Sequence, residues 1–264
     1  MMSKQPNRVI SASRRLDMVA NKPDDLAFVL QKKAPPEDVH SVVLWTKNPA
    51  NILQHEALRN SLMQYDQLFL HFTVTGLGST LLEPGVPSAD TVLSFLPALT
   101  GFLGDPRRIR IRFDPILKVQ LADGTFLSNL EFFKKLAPAV SKYGISNIST
   151  SWVQIYDKVL RRMQKHQLKI IEPSYAEREE QAASIQQTAE KYGIHMHWCC
   201  VPGLPRSRCI DGPLLSELHP KGFAANCERA GGQRPRCGCT KSWDIGWYYK
   251  CDHGCLYCYG QPVE

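Results

Sequence analysis

A chain of 264 residues with 43% hydrophobic and 22% charged residues can bury a substantial core, as one large α/β domain or two small ones. No apolar run approaches the roughly 18 residues of a membrane span, and MMSKQPNRV carries no apolar secretory core, so the expectation is a cytoplasmic protein with no membrane partner. The net charge of +7 permits an anionic partner, nucleic acid included, but the basic residues are dispersed, with no block of five like charges.

In chain order, VISAS (9–13) predicts a short strand and 23–33 a helix. SVVLWT (41–46), between Pro35-Pro36 and Asn48-Pro49, predicts the second strand. Helix 49–64 follows, with Pro49 in its first turn behind Asn48. LFLHFTVT (68–75), ended by Gly76, is the third strand, and helix 88–103 starts with Ala89 behind a Ser88 cap. RIRIRFD (108–114) alternates Ile and Arg, stops at Pro115, and precedes a predicted helix over 126–142. ISNISTSWV (145–153) is the fifth strand, followed by helices over 155–166 and 176–191; HMHWCCV (195–201) is the sixth and DIGWYY (244–249) the seventh. β-branched and aromatic enrichment between turn residues supports the strands, and apolar spacing of three and four supports the helices. This alternation implies an α/β fold, a parallel sheet with helical crossovers. The expected form is a full or partial TIM-like barrel, with a doubly wound open sheet as the alternative.

Residues 202–243 break the pattern, being rich in Pro, Gly, Arg and Cys with little periodicity. A long irregular segment in a compact domain is usually functional. All nine cysteines lie from Cys199 onward. Without an export signal this favours metal or redox chemistry over disulfides.

Cys251-Asp252-His253-Gly254-Cys255-Leu256-Tyr257-Cys258 has the spacing C-x3-C-x2-C. Three thiolates so close can wrap one face of a [4Fe–4S] cluster, with Gly254 giving the loop freedom to do so. One iron is then left without a thiolate, and S-adenosylmethionine (AdoMet) can chelate it through its amino and carboxylate groups. An electron from the cluster then cleaves the sulfonium to a 5′-deoxyadenosyl radical. A structural zinc site, with His253 as fourth ligand, is the alternative. Tyr257 and Tyr259 flank Cys258, where an aromatic can stack on adenine or simply pack the loop.

The C-x3-C-x-aromatic-C pattern resembles the signature of the radical AdoMet superfamily. The stretch Trp247-Tyr248-Tyr249-Lys250-Cys251 through Tyr259 is similar to the subgroup related to spore photoproduct lyase. So are Trp45-Thr46-Lys47, Phe72-Thr73-Val74-Thr75 with Leu82-Glu83-Pro84, and Arg112-Phe113-Asp114-Pro115-Ile116. Nearly the whole chain also resembles a bacterial family known only as a domain of unknown function. The superfamily carries its cysteine motif near the N-terminus, on the loop after the first strand. The resemblance therefore implies a circular permutation, with strand 244–249 beside strand 9–13 and the loop at the C-terminal end of a strand, where barrel active sites are built. The helix that normally follows the motif is not expected in the few residues after it, and no Gly-Gly-Glu pattern for the AdoMet amino group is found. A reductant such as flavodoxin or ferredoxin is implied as partner.

Strand ends supply the other candidates. Lys47 or Arg112 would pair with the methionyl carboxylate, and Thr73 and Thr75 would bond the ribose, unless they merely satisfy the sheet ends. Arg14 and Arg15 would hold an anionic substrate, or belong to a salt-bridged loop. Cys200, Cys209, Cys237 and Cys239 would form a second site for a [4Fe–4S] cluster or zinc, with Cys227 outside it. Of Cys199 and Cys200 only one can point that way, because adjacent strand residues face opposite sides. Free buried thiols, or a thiol acting as radical donor, are the alternatives. The expected organisation is one structural domain: a β/α barrel scaffold over 1–201, the metal-binding segment over 202–243, and the last strand and cluster loop over 244–264. The expected function is a radical AdoMet enzyme of unknown substrate, or else a non-catalytic iron–sulfur or zinc-stabilised module, a candidate for nucleic acid.

Overall fold

The computed structural model describes residues 5–263; the first residues of the MMSKQPNRV stretch lie outside it. In chain order the elements are β1 (Arg8–Ala12), α1 (Met18–Asn21), α2 (Pro23–Lys33), β2 (Val39–Thr46), α3 (Ala50–Gln54), α4 (Glu56–Leu62), β3 (Leu68–Thr73), α5 (Ala89–Leu93), α6 (Leu96–Leu103), β4 (Ile109–Ile116), β5 (Lys118–Gln120), β6 (Phe126–Ser128), α7 (Phe133–Ser141), β7 (Asn147–Trp152), α8 (Asp157–Lys165), β8 (Lys169–Ile170), α9 (Tyr175–Lys191), β9 (His195–Trp198), α10 (Gly212–Glu217) and β10 (Trp243–Asp244). Local chemistry sets several boundaries. Pro23 opens α2 with Asp24 and Asp25 in its first turn and Lys32 and Lys33 in its last, which suits the helix dipole at both ends. A capping box of Ser174 and Glu177 opens α9.

Seven strands form one parallel sheet in the order β10-β1-β2-β3-β4-β7-β9. The last strand of the chain thus lies beside the first, with Ile10 against Trp243 and Ser11 against Asp244. A closed barrel is not formed: among the described residues the edge strands β9 and β10 do not pair. The closing strand is cut to two residues because Asp244 turns the chain out of the sheet, its carboxylate accepting the Gly246 N–H at 3.1 Å.

Helices cover one face of the sheet, packed on Ile10, Leu44, Phe72, Ile111 and Ile148. The opposite face presents Val9, Val43, Trp45 and Phe69, and segment 202–243 packs there through Ile210, Leu215, Leu218, Cys237 and Cys239. A parallel sheet is stable only with both faces covered, so this irregular segment also serves as a core layer. It holds one helix, α10, that periodicity does not predict.

Three predicted helices differ from the structure. Helix 49–64 is two, α3 and α4, because the His55 ring accepts the Leu58 N–H and caps the second. Helix 88–103 divides into α5 and α6, with Pro97 in the first turn of α6. The helix over 126–142 begins only at Phe133, because residues 126–128 pair with β5 across a turn at Asp123-Gly124, with Gly124 at φ +85°. That Asp-Gly pair is a hairpin signal. Among the described residues no helix is long and apolar enough to cross a membrane.

Where β2 begins, the buried His40 ring lies 4.3 Å from the buried His219 ring, tilted 40° to it. His40 also bonds Ser41 Oγ at 2.7 Å and the Phe223 carbonyl at 2.9 Å. Burial lowers the pKa of both rings, and His219 is lowered further by His40. A histidine depressed in the folded state takes up its proton more readily when unfolded. Stability is therefore complete above the ordinary histidine range and falls as pH drops through about 6.5. Thermal melts should show Tm a few degrees lower at pH 5.5 than at pH 7.5, and His219→Phe should flatten that slope. An unchanged slope in the variant would remove the pair from the explanation.

Candidate metal centre at the strand ends

The three-cysteine loop closes on itself: the Cys251 N–H donates to the Gln261 carbonyl at 2.8 Å and the Val263 N–H to the Cys251 carbonyl at 2.9 Å. Inside it Gly254 takes φ +61°, a left-handed conformation that favours glycine. Segment 82–85 forms one wall, with the Leu256 N–H on the Leu82 carbonyl and the Gly85 N–H on the His253 carbonyl, each at 3.0 Å. From α8, the buried Arg162 donates to the Leu256 carbonyl at 3.0 Å and the Cys258 carbonyl at 2.9 Å.

His253 anchors the loop to the sheet. Its Nε2 lies 2.7 Å from Asp17 Oδ2 and its Nδ1 3.3 Å from the Gly85 carbonyl. The same Asp17 oxygen accepts the Thr46 hydroxyl and the Lys47 N–H at the end of β2. Burial alone would lower the His253 pKa, but the Asp17 carboxylate outweighs it and raises it. With both ring nitrogens engaged, His253 supports the loop and is not offered as a fourth zinc ligand.

Cys255 is buried, at 5% exposed, while Cys251 and Cys258 are partly open. Burial raises the Cys255 thiol; Lys47 opposes this, and Glu83, Cys258 and Cys251 add to it. Burial also pushes Cys251 up to about 11. The Gly260 N–H donates to Cys258 Sγ at 3.2 Å, a bond that stabilises a thiolate. Among the described residues no three His, Cys, Asp or Glu side chains gather closely enough to hold a single metal ion. Three soft thiol donors on one short loop still match the donor chemistry of an iron–sulfur cluster, in which each thiolate takes its own iron.

Beside the loop lies a buried polar network. Glu83, 1% exposed, accepts Lys47 Nζ at 2.9 Å and Thr75 Oγ1 at 2.7 Å, and also accepts the Tyr257 hydroxyl. Lys47 Nζ also donates to Tyr257 OH at 3.0 Å. Burial would raise the Glu83 carboxyl, but Lys47, Tyr257 and Thr75 together hold it below its usual range. Three of the predicted AdoMet contacts, Lys47, Thr75 and Tyr257, thus meet on one carboxylate. Thr73 is buried at the end of β3, in register with Arg112. Arg112 pairs with Asp114 and lies over the Trp45 ring at 5.2 Å. The half-exposed Tyr259 donates to the Arg14 carbonyl at 3.1 Å.

Arg14 and Arg15 border the loop from the other side. Arg14 lies 3.6 Å from Asp244, and Arg15 donates to the Gly246 carbonyl at 2.9 Å. Asp244 further accepts Ser11, Ser13 and the Arg14 N–H, joining β10 to the end of β1. Sequence reading did not assign roles to Asp17, Glu83, Asp114, Arg162 or Asp244. Asp17 meets His253 across 236 positions and Glu83 meets Tyr257 across 174, separations that no local pattern spans.

The loop and segment 82–85 touch so closely that a Cβ at Gly85 would lie 2.0 Å from the Asp252 carbonyl oxygen. Gly85→Ala should therefore displace the loop and cut reconstituted iron by more than half, measured per chain, with helical content unchanged. Full iron loading in this variant would show that the loop tolerates the shift.

Two clefts open nearby. One of about 650 Å³ at the ends of β7 and β9 is lined by Ser151, Gln154, Arg178, Cys199, Cys200 and Arg234. Ser151 there donates to Asp114, which connects this cleft to Arg112. The other, about 350 Å³, lies between α9 and residues 201–204, away from the loop.

A family model described as a domain of unknown function (DUF1848) matches residues 18–260. No curated protein matches the chain.

Proposed function

The chain belongs to this family, the domain of unknown function DUF1848, and from that premise we propose that it is a radical AdoMet enzyme whose [4Fe–4S] cluster is held by Cys251, Cys255 and Cys258. The observation that carries the reading is the seating of the three-cysteine loop. Asp17, which caps α1 after β1, Lys47 just after β2 and Glu83 after β3 all fasten it beside the carboxyl ends of parallel strands, where βα folds build their active sites. The order β10-β1-β2 supports a circular permutation, with the last strand and its loop in the place of a first unit.

When bound, the cluster and AdoMet supply one-electron cleavage of a sulfonium. The chain's own residues position and shield. Arg162 and Glu83 fix the loop through its carbonyls and Tyr257. Leu77, Leu82, Val86 and Leu256 exclude water around Cys255. Arg112, Arg14 and Arg15 hold positive charge on the adjoining strand ends for the carboxylate of AdoMet or an anionic substrate. A reductant such as flavodoxin or ferredoxin supplies the electron.

A second reading has its own support. Lys47, Thr75 and Tyr257 are satisfied by Glu83, which suits a non-catalytic metal-stabilised module, and the +7 charge suits a nucleic-acid partner. Anaerobic reconstitution with iron and sulfide, then reduction in the presence of AdoMet, separates the two. The enzyme yields 5′-deoxyadenosine. A fully loaded cluster that yields none leaves the binding module.

A further inference from the structure

The face of the sheet opposite the helices carries two arginines, each with one carboxylate nearby and one guanidinium nitrogen left unpaired among the described residues. Arg110, 1% exposed, donates to the Arg208 carbonyl, has its nearest carboxylate, Asp211, 4.0 Å away, and its Nε finds no partner among the described residues. One step further along β4, Arg112 has Asp114 but likewise leaves Nε unpaired. A buried guanidinium without a close counter-ion is costly. What faces these two arginines is thiol: Cys209 and Cys239 toward Arg110, Cys209 and Cys199 toward Arg112.

Those thiols are not scattered. Cys209 hydrogen-bonds with both Cys199 and Cys239, and Cys239 with Cys237, so three separate segments bring four sulfurs into one chain of contacts. Cys239 Sγ also accepts the Cys209 N–H at 3.2 Å and the Ile210 N–H at 3.4 Å, and Cys199 Sγ accepts from Arg234 at 3.3 Å. Donors aimed at sulfur stabilise thiolate rather than thiol. Asp211 is shared by Arg110, at 4.0 Å, and Arg208, at 3.8 Å, which leaves a net positive charge here. Four thiolates around a metal centre would balance it.

We propose that Cys199, Cys209, Cys237 and Cys239 ligate a second [4Fe–4S] cluster, seated between the sheet and segment 202–243. Cys199 replaces the expected Cys200. It follows His195 and His197 on the face that carries Arg110 and Arg112, whereas Cys200 turns at φ +59°. The choice of cluster over zinc rests on spacing. A zinc ion draws its sulfurs to about 2.3 Å from one point, whereas these four thiols are strung in series, Cys199 to Cys209 to Cys239 to Cys237. A cubane gives each thiolate its own iron. The site also explains why an irregular segment can cover a sheet face: its ligands supply the cross-links that periodic packing would otherwise provide.

The inference is independent of the first cluster, and one variant separates them. Full-length Cys251→Ala/Cys255→Ala/Cys258→Ala protein, reconstituted anaerobically with iron and sulfide, should retain about four irons and four sulfides per chain, against about eight of each in the unmodified protein. Adding Cys209→Ser/Cys239→Ser should remove them, whereas adding Cys227→Ser, at an exposed cysteine outside the set, should not. Less than one iron in the triple variant, or a single zinc without sulfide, overturns the proposal. That measurement decides the matter even if the five-site variant fails to fold.

Discussion

Cys255→Ala is expected to abolish reductive cleavage of AdoMet and to lower iron by about four per chain while the fold persists. Cys255 is the central and most buried thiol of its loop, packed in a cluster with Leu82, Leu256 and Tyr257. Removing one sulfur from that packing costs about 1–2 kcal/mol. The elements that fasten the loop, Asp17–His253 and Arg162 to the Leu256 and Cys258 carbonyls, do not involve the Cys255 side chain. The variant should therefore melt within a few degrees of the parent while 5′-deoxyadenosine falls below detection. Retention of both cleavage and iron would place the cluster elsewhere in the chain.

Glu83→Gln should be the most destabilising conservative change near the site, at about 3–5 kcal/mol, because it strands the Lys47 ammonium in a buried setting. For a chain of this size that corresponds to a fall in Tm of about 10 °C. Lys47→Met is expected to cost less, since a neutral Glu83 can still accept from Thr75 and Tyr257. The double variant Lys47→Met/Glu83→Gln should recover at least half of the loss from Glu83→Gln, because the stranded charge is gone. Urea midpoints of the four proteins form the cycle. If the two single losses simply add, Lys47 and Glu83 are not coupled, and Lys47 is free for the carboxylate of AdoMet.

Much of this is legible in the sequence. Ser88 marks the start of α5 through its capping chemistry, and the Ile–Arg alternation of 108–112 shows that β4 has one apolar and one polar face. The helix breaks at His55 and at Ser94-Phe95 were not readable. Apolar spacing continues across them; at the first the His55 side chain caps the new helix, which the pattern does not register, and at the second no side chain caps α6. Closure of the barrel was also out of reach. It turns on whether residues 245–249 extend β10, and the Asp244 carboxylate ends that strand through contacts with Ser13 and Gly246.

The amino-acid sequence by itself determined the parallel α/β class, the concentration of cysteines after residue 198 and the three-thiol loop, because these depend on local periodicity and short spacing. Tertiary structure alone decided what surrounds the thiols. Asp17, Glu83 and Arg162 reach the loop from far along the chain, and Arg110 and Arg112 face Cys199, Cys209 and Cys239 across the sheet. Charge compensation acts through space over a few ångströms, so no pattern along the chain encodes which cation will meet which sulfur.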